Sequence, residues 1–451
     1  MGYTRRKFIQ NTTLLGAGTA LAWPFSTSFA EATAKPALLG GAPLMEVKKW
    51  PTWPRWVSAA DESKIIDVLR SGVWSRADKT DAFEKHWAQT IGTKRCLTVV
   101  NGTNALITTL ANLGVGAGDE VIVPPYTFIA TVMAVLAVGA MPVFVDVELD
   151  TFLIDPSRVE EKITAQTKAM IPVHIAGLPA DMDRLLALAK KHHLLVVEDA
   201  CQAHLAAYRG KLVGSLGDAG CFSFQNSKNM AIGEGGAITS NNDAFMDRCY
   251  SYHNLGLPYG SAVGTVTSGS VIAGTKVRFT EYQAAIGIAM LHRLEEETRL
   301  RNENAAYLHR LLADIQGVHP YRLYEGVTRG AYHLFPFRLD KEEFKGLSRD
   351  LFLKALQAEG VPCSAGYATL TDKPYLASAF SERRFVQAYP KEMLDFNGFV
   401  ERNRCPNNEK LCQEQAVWFT QNLLLGTKTD MEGIAAAIRR IYDHAEAIKK
   451  A

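Results

Sequence analysis

The sequence has few of the features that mark disulfide-stabilised, nucleic-acid-binding or membrane-spanning proteins. Its seven cysteines are odd in number and scattered over 451 residues, so they do not form a disulfide framework. Cys405 and Cys412 could pair after export, but unpaired thiols are the simpler interpretation. The formal net charge is only +2, and no long basic stripe occurs. We therefore predict no nucleic-acid partner.

Signals for a metal or a dinucleotide are equally weak. His192 and His193 lack partner ligands, so we predict no metal site. The glycines at residues 114–118 have the wrong spacing for a dinucleotide fingerprint. Beyond the N-terminal segment no apolar run reaches the ~20 residues of a membrane-spanning helix, so we expect no transmembrane span in the mature chain. What is present, 47% hydrophobic and 21% charged residues, is typical of a globular protein long enough for two domains.

The N-terminus is a unit of its own. Arg5 and Arg6 precede a weakly apolar stretch at residues 12–25, and Ser28 and Ala30 supply a cleavage site before Glu31. This order is that of a twin-arginine signal peptide, so residues 1–30 are predicted to direct export to a periplasmic or other extracytoplasmic location. A basic tail and an uncleaved membrane anchor are the alternatives, although the stretch is shorter than the ~20 residues of a spanning helix.

After a polar lead with Trp50, Trp53 and Trp56, which we expect to pack on a domain surface, apolar runs alternate with helix-like stretches. The runs predicted as strands lie at residues 95–100, 120–123, 142–147, 169–174, 194–198, 220–224 and 237–240. This alternation indicates an α/β fold with a mainly parallel sheet covered on both faces. A long helical pattern at residues 280–312 leads into a smaller domain, so the predicted domains are residues 31–290 and 291–451.

Two residues in this pattern carry chemistry. Asp199 follows the apolar run at residues 194–198, and Lys228 lies in a Ser- and Gly-rich turn between two later strands. Strand ends face the ligand crevice in open α/β sheets. Pyridoxal phosphate needs a lysine that condenses with its aldehyde and an acid that keeps its ring nitrogen protonated. The alternatives are that Asp199 caps the next helix and that Lys228 is a solvated loop lysine.

The motifs around these residues are more specific. Asp199 and Gln202 form an Asp-x-x-Gln stretch, Lys228 follows Ser223 by five residues, and a Gly-Glu-Gly-Gly turn begins at Gly233. With further motifs at residues 101–106, 124–128 and 278–285, the chain resembles the DegT/DnrJ/EryC1/StrS family of sugar aminotransferases over roughly residues 38–445. The resemblance implies the type I fold of pyridoxal-phosphate-dependent transferases, the aspartate aminotransferase fold, with a mainly parallel large domain and a smaller α+β C-terminal domain.

The resemblance also implies a role for each candidate site residue. Lys228 is the catalytic lysine, and Asp199 is the partner of the pyridine nitrogen. The implied cofactor-binding residues are Gly102, Thr103, Asn104, Phe128, Asp199, Gln202, Ser223, Lys228 and Lys276. The turn at residues 102–104 and Ser223 would hold the phosphate, in keeping with the affinity of helix N-termini for anions. Phe128 would stack on the ring and Gln202 would lie near it, whereas the sequence alone fits equally a core phenylalanine and a surface amide.

Two departures from the family pattern concern the phosphate and the pocket. Lys276-Val277-Arg278 stands where the family often has Asn-Tyr-Arg, whose asparagine reaches the phosphate of the neighbouring subunit. Leu205 stands where a glycine is usual. We therefore expect a homodimer in which the Lys276 ammonium replaces that amide. The alternative is a solvated Lys276 on a loop rich in glycine and serine.

The resemblance predicts an aminotransferase that moves an amino group from glutamate or glutamine to an oxo-sugar or an inosose. Residues 366–367 and 418–425 look more like the inosose (cyclitol) aminotransferase branch than like the nucleotide-sugar branch. One alternative is a sugar dehydratase relative, but such relatives carry histidine in place of the lysine, which Lys228 contradicts. The other is an exported, catalytically idle binding protein, because amino donors and oxo-sugars are chiefly cytoplasmic.

Overall fold

The structure is a computed structural model and describes residues 34–46, 49–56, 59–261 and 269–451. The predicted signal segment, residues 1–30, lies outside these ranges. In chain order the strands are β1 (Arg95–Val99), β2 (Glu120–Val123), β3 (Met141–Phe144), β4 (Thr167–Met170), β5 (Leu195–Asp199), β6 (Ala207–Tyr208), β7 (Lys211–Leu212), β8 (Ala219–Ser223), β9 (Gly236–Ser240), β10 (Val318–Pro320), β11 (Val327–Arg329), β12 (Leu334–Leu339) and β13 (Ala416–Thr420). The α-helices are α1 (Ala59–Ser71), α2 (Asp78–Ile91), α3 (Gly102–Asn112), α4 (Ala130–Ala137), α5 (Met182–His192), α6 (Asp243–His253), α7 (Glu281–Ala313), α8 (Arg349–Ala358), α9 (Pro374–Phe380), α10 (Arg383–Ala388), α11 (Lys391–Leu394), α12 (Phe396–Arg402), α13 (Pro406–Lys410), α14 (Lys428–Asp443) and α15 (Ala445–Ile448).

The large domain is built on a seven-stranded sheet in the order β1-β9-β8-β5-β4-β2-β3. Strand β9 is antiparallel to both of its neighbours, and the other pairings in the sheet are parallel. All residues of β2 are buried, as expected for a strand that is covered on both faces. The prediction of an α/β fold with a mainly parallel sheet is confirmed.

The site begins where three segments leave the sheet at one edge. Strands β5 and β8 are adjacent and parallel, and they end at Asp199 and Ser223. Helix α3 follows β1 with Asn101 as its N-cap. Because the carboxyl ends of parallel strands lie at the same edge of a sheet, the two strand ends and the N-terminus of α3 lie together at the position of a ligand crevice.

Glu198, next to Asp199 on β5, has a structural role. Its carboxylate is fully buried and accepts hydrogen bonds from three backbone N–H groups within residues 214–217, at 2.7–2.8 Å. His174 Nε2 lies 3.1 Å from the same carboxylate, while His174 Nδ1 accepts from Ala180 N and so carries no proton. This pattern makes His174 a neutral donor to Glu198, and it commits Glu198 to anchoring a loop rather than to the crevice.

The smaller C-terminal domain carries a second sheet, β10-β12-β13, which is antiparallel. Its core is aromatic: the rings of Phe335 and Phe419 stack at 6.1 Å, and Phe337 packs edge-on against Phe352 of α8 at 6.2 Å. Helix α7, 33 residues long, packs on α2 of the large domain and on α14 of the small one. The predicted domain boundary at residues 290 and 291 falls within this continuous helix. Within the described ranges, no helix combines the length and apolar character that crossing a bilayer requires.

The lead before α1 packs on the C-terminal domain. Ala37 N and Leu44 N donate to the Glu359 carboxylate at 2.9 and 3.0 Å, and the indole N–H of Trp50 donates to Gly360 O at 2.8 Å. Trp50 is buried, as expected for packing on a domain surface, whereas Trp56 is 41% exposed.

Candidate active site

A cleft of about 530 Å³ opens at the edge of the sheet where β5 and β8 end. The predicted site residues that line it are Gly102, Thr103, Phe128, Asp199, Gln202, Ser223 and Lys228. Asn104 and Lys276, although both are described, do not line it. The C-terminal domain adds four residues to its wall: His333, Leu334, Tyr367 and Trp418.

The N-terminus of α3 and the end of β8 form an anion cradle. Gly102 and Thr103 open the helix, and the backbone N–H groups at such positions have no partner within the helix. A Cβ at residue 102 would lie 2.8 Å from both Cys201 Sγ and Ser223 Cβ, so only glycine permits this approach. Ser223 Oγ accepts from Gln225 N at 3.3 Å, which leaves its own proton for donation. These donors suit a phosphate.

Asn104 belongs to the helix cap. Its backbone N–H and its side-chain amide both donate to Asn101 Oδ1, at 2.8 and 3.0 Å. The cap thus uses the backbone N–H and one amide hydrogen of Asn104, and the predicted phosphate contact of Asn104 stays a prediction.

Lys228 lines the cleft with a partly buried side chain. Burial lowers the pKa of its amine, and the neighbouring Cys201 and Asp199 oppose this shift. A neutral amine is the form that attacks a carbonyl carbon. The backbone of the turn is fixed on both sides, because Lys228 N donates to Gln225 O at 2.8 Å and the indole of Trp53 donates to Lys228 O at 3.0 Å. This environment differs from that of a solvated loop lysine.

Asp199 is oriented by hydrogen bonds that no sequence motif indicated. Thr131 Oγ1 donates to Oδ2 at 2.7 Å, and the backbone N–H of Cys201 donates to Oδ1 at 3.2 Å. A hydroxyl can donate only one hydrogen bond, and Thr131 donates its bond to the carboxylate. The 2.9 Å bond between the hydroxyls of Thr127 and Thr131 therefore runs from Thr127 to Thr131. This directed chain fixes one oxygen of the carboxylate.

The same helical turn places Phe128 and Thr131. Thr131 N donates to Phe128 O at 3.2 Å, at the start of α4. The Phe128 side chain is 56% exposed at the cleft wall, which excludes an ordinary core position. A signal for Thr131 was present in the sequence, since its hydroxyl interrupts the otherwise apolar α4 shortly after Phe128.

Gln202 lines the cleft, but its amide is engaged by the protein. Oε1 accepts from Ala176 N at 2.9 Å, and Nε2 donates to Tyr367 Oη at 2.7 Å. Burial raises the pKa of Tyr367, so its phenol stays protonated. The Tyr367 ring packs edge-on against Trp418 with 4.7 Å between the centroids. Gln202 thus joins the sheet edge to an aromatic wall of the C-terminal domain, and it is not a surface amide.

Two histidines lie near the lysine without adding charge. Burial, followed by the charge of Lys228, lowers the pKa of His204 to about 3. Burial followed by the charge of Lys228 also holds the pKa of His333 well below the usual histidine range. Both imidazoles are therefore neutral near pH 7. His333 reaches the cleft from the C-terminal domain, and no spacing in the sequence connects it with the lysine.

These residues fit pyridoxal phosphate. Gly102, Thr103 and Ser223 offer N–H and hydroxyl donors for the phosphate, Asp199 offers a carboxylate for the ring nitrogen, and Phe128 offers an aromatic face. Asp199 does not cap a helix, because its side chain bonds to Thr131 and to the next turn.

Comparisons with known proteins agree with this chemistry. The model of the DegT/DnrJ/EryC1/StrS aminotransferase family matches residues 57–392. The L-glutamine:2-deoxy-scyllo-inosose aminotransferase of Streptoalloteichus tenebrarius is 34% identical over 423 residues, which cover 90% of this chain and 97% of that protein. The crystal structure of 3-amino-5-hydroxybenzoic acid synthase superposes with a TM-score of 0.76 at 31% identity, over 89% of this chain and 99% of that one. The protein named putative sugar aminotransferase Spr1654 from Streptococcus pneumoniae, solved in its PLP form, superposes with a TM-score of 0.72 at 25% identity, over 87% of this chain and 98% of that one.

Replacing Thr131 with valine should impair the site without disturbing the fold. The change keeps the shape of the side chain and removes the donor to Asp199. A hydrogen bond to a charged group contributes roughly 1.5–3 kcal/mol, so turnover should fall by about tenfold or more. Thr108→Val is the matched control, because the buried Thr108 hydroxyl has no partner among the described residues. Steady-state turnover of the two variants is compared after thermal unfolding has verified that they are equally stable. Equal turnover would contradict the role of Thr131.

Proposed function

Because this chain belongs to the DegT/DnrJ/EryC1/StrS aminotransferase family, we propose that it uses glutamine to aminate a keto-cyclitol of the inosose type. It is a pyridoxal-phosphate-dependent aminotransferase of the type I fold. The observation that carries the proposal is the single cleft that holds the Lys228 amine, the Asp199 carboxylate and the anion cradle.

Each residue of the cleft has a proposed task. Bound pyridoxal phosphate supplies a ring that delocalises the electron pair left when a proton leaves the carbon attached to the amino nitrogen. Lys228 Nζ accepts that proton and returns it, and the lowered pKa of its amine suits this exchange. Asp199 holds the proton at the ring nitrogen, and Gly102, Thr103 and Ser223 hold the phosphate. Phe128 covers one face of the ring and excludes water from it.

The choice of acceptor rests on the wall contributed by the C-terminal domain. Tyr367 and Trp418 present an aromatic surface to the cleft, and they lie in the two segments that favour the inosose branch. Aromatic faces pack against the C–H faces of a saturated ring, while hydroxyls at the rim bond to polar groups. The relative from Streptoalloteichus tenebrarius is named for glutamine as donor and 2-deoxy-scyllo-inosose as acceptor, which supports the same pair here.

Transfer of the α-amino nitrogen of labelled glutamine to 2-deoxy-scyllo-inosose tests this proposal. The purified protein should produce a labelled amino-cyclitol that mass spectrometry detects. Asp199→Asn keeps the size of the side chain and removes its charge, so transfer should fall on the order of 100-fold. Circular dichroism verifies that the variant is folded. Near-normal transfer by Asp199→Asn would mean that another acid holds the ring nitrogen, and no transfer by the wild-type protein would overturn the donor–acceptor pair.

We also propose that residues 1–30 are a twin-arginine signal and that the enzyme acts outside the cytoplasm. The support is the order of Arg5 and Arg6, an apolar stretch and a cleavage site before Glu31. The twin-arginine route carries folded proteins, so the cofactor can be inserted before export.

Replacing both arginines with lysine should keep the protein in the cytoplasm, because a receptor reads the pair as an address. The variant Arg5→Lys with Arg6→Lys preserves charge, and Lys35→Arg, outside the segment, is the control. Fractionation of expressing cells followed by immunoblotting measures the location. Periplasmic recovery of the double variant equal to that of the control would contradict the assignment.

The working unit that we propose is a homodimer in which Lys276 of the partner subunit approaches the phosphate. Lys276 is exposed and does not line the cleft of its own chain. The backbone of Lys276 forms an isolated β-bridge with Asn254. The next residue, Leu255, donates its N–H to Thr275 O, and its side chain is 51% exposed. Tyr282, shortly after Lys276 in the sequence, is 39% exposed. Exposed apolar side chains close in sequence or pairing to an exposed ammonium suit a surface that a second copy covers.

Lys276→Ala should weaken cofactor binding while the dimer persists. Loss of a charge-assisted contact to phosphate should raise the dissociation constant of pyridoxal phosphate by about tenfold. The exposed Lys211 of β7, changed to alanine, is the control. Fluorescence titration of the cofactor-depleted protein gives the affinity, and light scattering gives the mass. An affinity equal to that of the control would leave Lys276 as a surface residue.

A further inference from the structure

The lead segment contributes a residue to the lysine turn. The indole N–H of Trp53 donates to the backbone carbonyl of Lys228 at 3.0 Å, across most of the large domain in sequence. We define the lead strap as residues 51–55, the stretch around this contact. Trp50, which lies just before the strap, makes the same kind of bond to Gly360 in the C-terminal domain. Two tryptophans of one lead thus bond to two different parts of the molecule.

The lead strap is tied down on both sides of Trp53. Asn422 Nδ2 donates to Pro51 O at 2.7 Å, which connects the strap to the segment after β13. On the other side Arg55 pairs with Glu297 of α7 at 3.6 Å. The fully buried guanidinium of Arg301 lies 5.1 Å from the centre of the Trp53 ring. The indole is therefore held in one place by the C-terminal segment and by the bridging helix.

Several bonds hold the lysine turn together from within, and the bond from Trp53 reaches the Lys228 carbonyl from outside the turn. Lys228 N donates to Gln225 O within the turn, and the next residue, Asn229, donates from Nδ2 to Ala331 O at 2.6 Å. The carbonyl of Lys228 receives its bond from Trp53. Rotation of this peptide would redirect the lysine side chain, so the indole restrains the amine relative to Asp199.

We propose that Trp53 is a positioning residue for Lys228, through which the lead strap and the C-terminal domain set the direction of the catalytic amine. The proposal rests on the assignment of Lys228 as the lysine that holds the cofactor. Trp53 also lines a second cleft, of about 410 Å³, whose wall shares Gln225, Ser227, His333 and Trp418 with the first. The lead strap is consequently part of the active site, and it lies downstream of the predicted cleavage site before Glu31.

The test compares Trp53→Phe with Trp50→Phe in protein loaded with pyridoxal phosphate. Each change keeps an aromatic ring and removes one indole-to-carbonyl bond of the same lead, at 3.0 Å to Lys228 O and at 2.8 Å to Gly360 O. Two readouts are independent of turnover: the pH midpoint of the visible absorbance of the bound cofactor, and the rate at which the cofactor is lost on dialysis.

The pH midpoint depends on every titratable group that faces the amine. Asp199 and Cys201 face it from the end of β5 and the turn that follows, His204 lies beyond them, and His333 faces it from the segment before β12. Glu234 and Tyr367 also line the cleft, and the charge of Arg301 acts on both histidines. Neither substitution replaces any of these groups, and Trp53→Phe keeps an aromatic ring beside Arg301. A shift seen only in Trp53→Phe therefore reports a changed position of Lys228.

In Trp53→Phe we expect the cofactor to be lost about fivefold faster, the factor that corresponds to the loss of one ordinary hydrogen bond. The pH midpoint of this variant should also be shifted from that of the wild type. Trp50→Phe should match the wild type in both readouts. Asn422→Ala, which releases Pro51 and keeps the indole, should shift both in the same direction by a smaller amount, and it serves if Trp53→Phe is poorly folded. If Trp53→Phe and Trp50→Phe gave the same pH midpoint and the same rate of cofactor loss, the role of Trp53 would be overturned while the assignment of Lys228 would stand. If Trp53→Phe is poorly folded, wild-type values of both readouts in Asn422→Ala would have the same meaning. A wild-type protein without the visible band would overturn the assignment of Lys228 as well.

Discussion

The Lys228 amine and the Asp199 carboxylate share one cleft, and the surrounding structure serves to keep each group in a defined direction and charge. Burial lowers the pKa of the amine, which favours its nucleophilic form. The carboxylate is fixed through the chain from Thr127 to Thr131 and through the backbone of Cys201. A strand end places the acid, and a turn held by Trp53 places the amine.

Three ionisable groups near this pair add no further charge to the cleft. The carboxylate of Glu198, the neighbour of Asp199, accepts hydrogen bonds from backbone N–H groups and from His174, so it adds no second acid to the cleft. His204 and His333 remain neutral because burial and the charge of Lys228 lower their pKa values. The anion cradle consists of backbone N–H groups at the start of α3 and the Ser223 hydroxyl. In the proposed homodimer, Lys276 of the partner subunit would add a positive charge there.

The sequence predicted the parts of this site that depend on local order, and missed those that depend on packing. Hydrophobic runs identified the strands of the large sheet, and the end of one strand pointed to Asp199. Ser223 was predicted from the family motif, and the structure places it at the end of the adjacent parallel strand. The sequence did not reveal the contacts of Thr131, Tyr367 and His333 at the cleft or that of Trp53 with the lysine turn. These side chains come from other elements, and their contacts arise only when the chain is folded. Asn104 differs from them, because a motif position implied a phosphate contact and the structure places it in the helix cap. Lys276 and the segment at residues 1–30 stay predictions, since one concerns a second copy of the chain and the other lies outside the described residues.

The most direct measurement identifies the lysine that holds the cofactor. The protein loaded with pyridoxal phosphate is reduced with borohydride, digested and mapped by mass spectrometry, so that the labelled residue is read from the peptide. The pyridoxyl group should be found on Lys228, because it is the one lysine among the described residues that line the cleft. A label on a different lysine, or a reduced protein without any label, would contradict the central assignment.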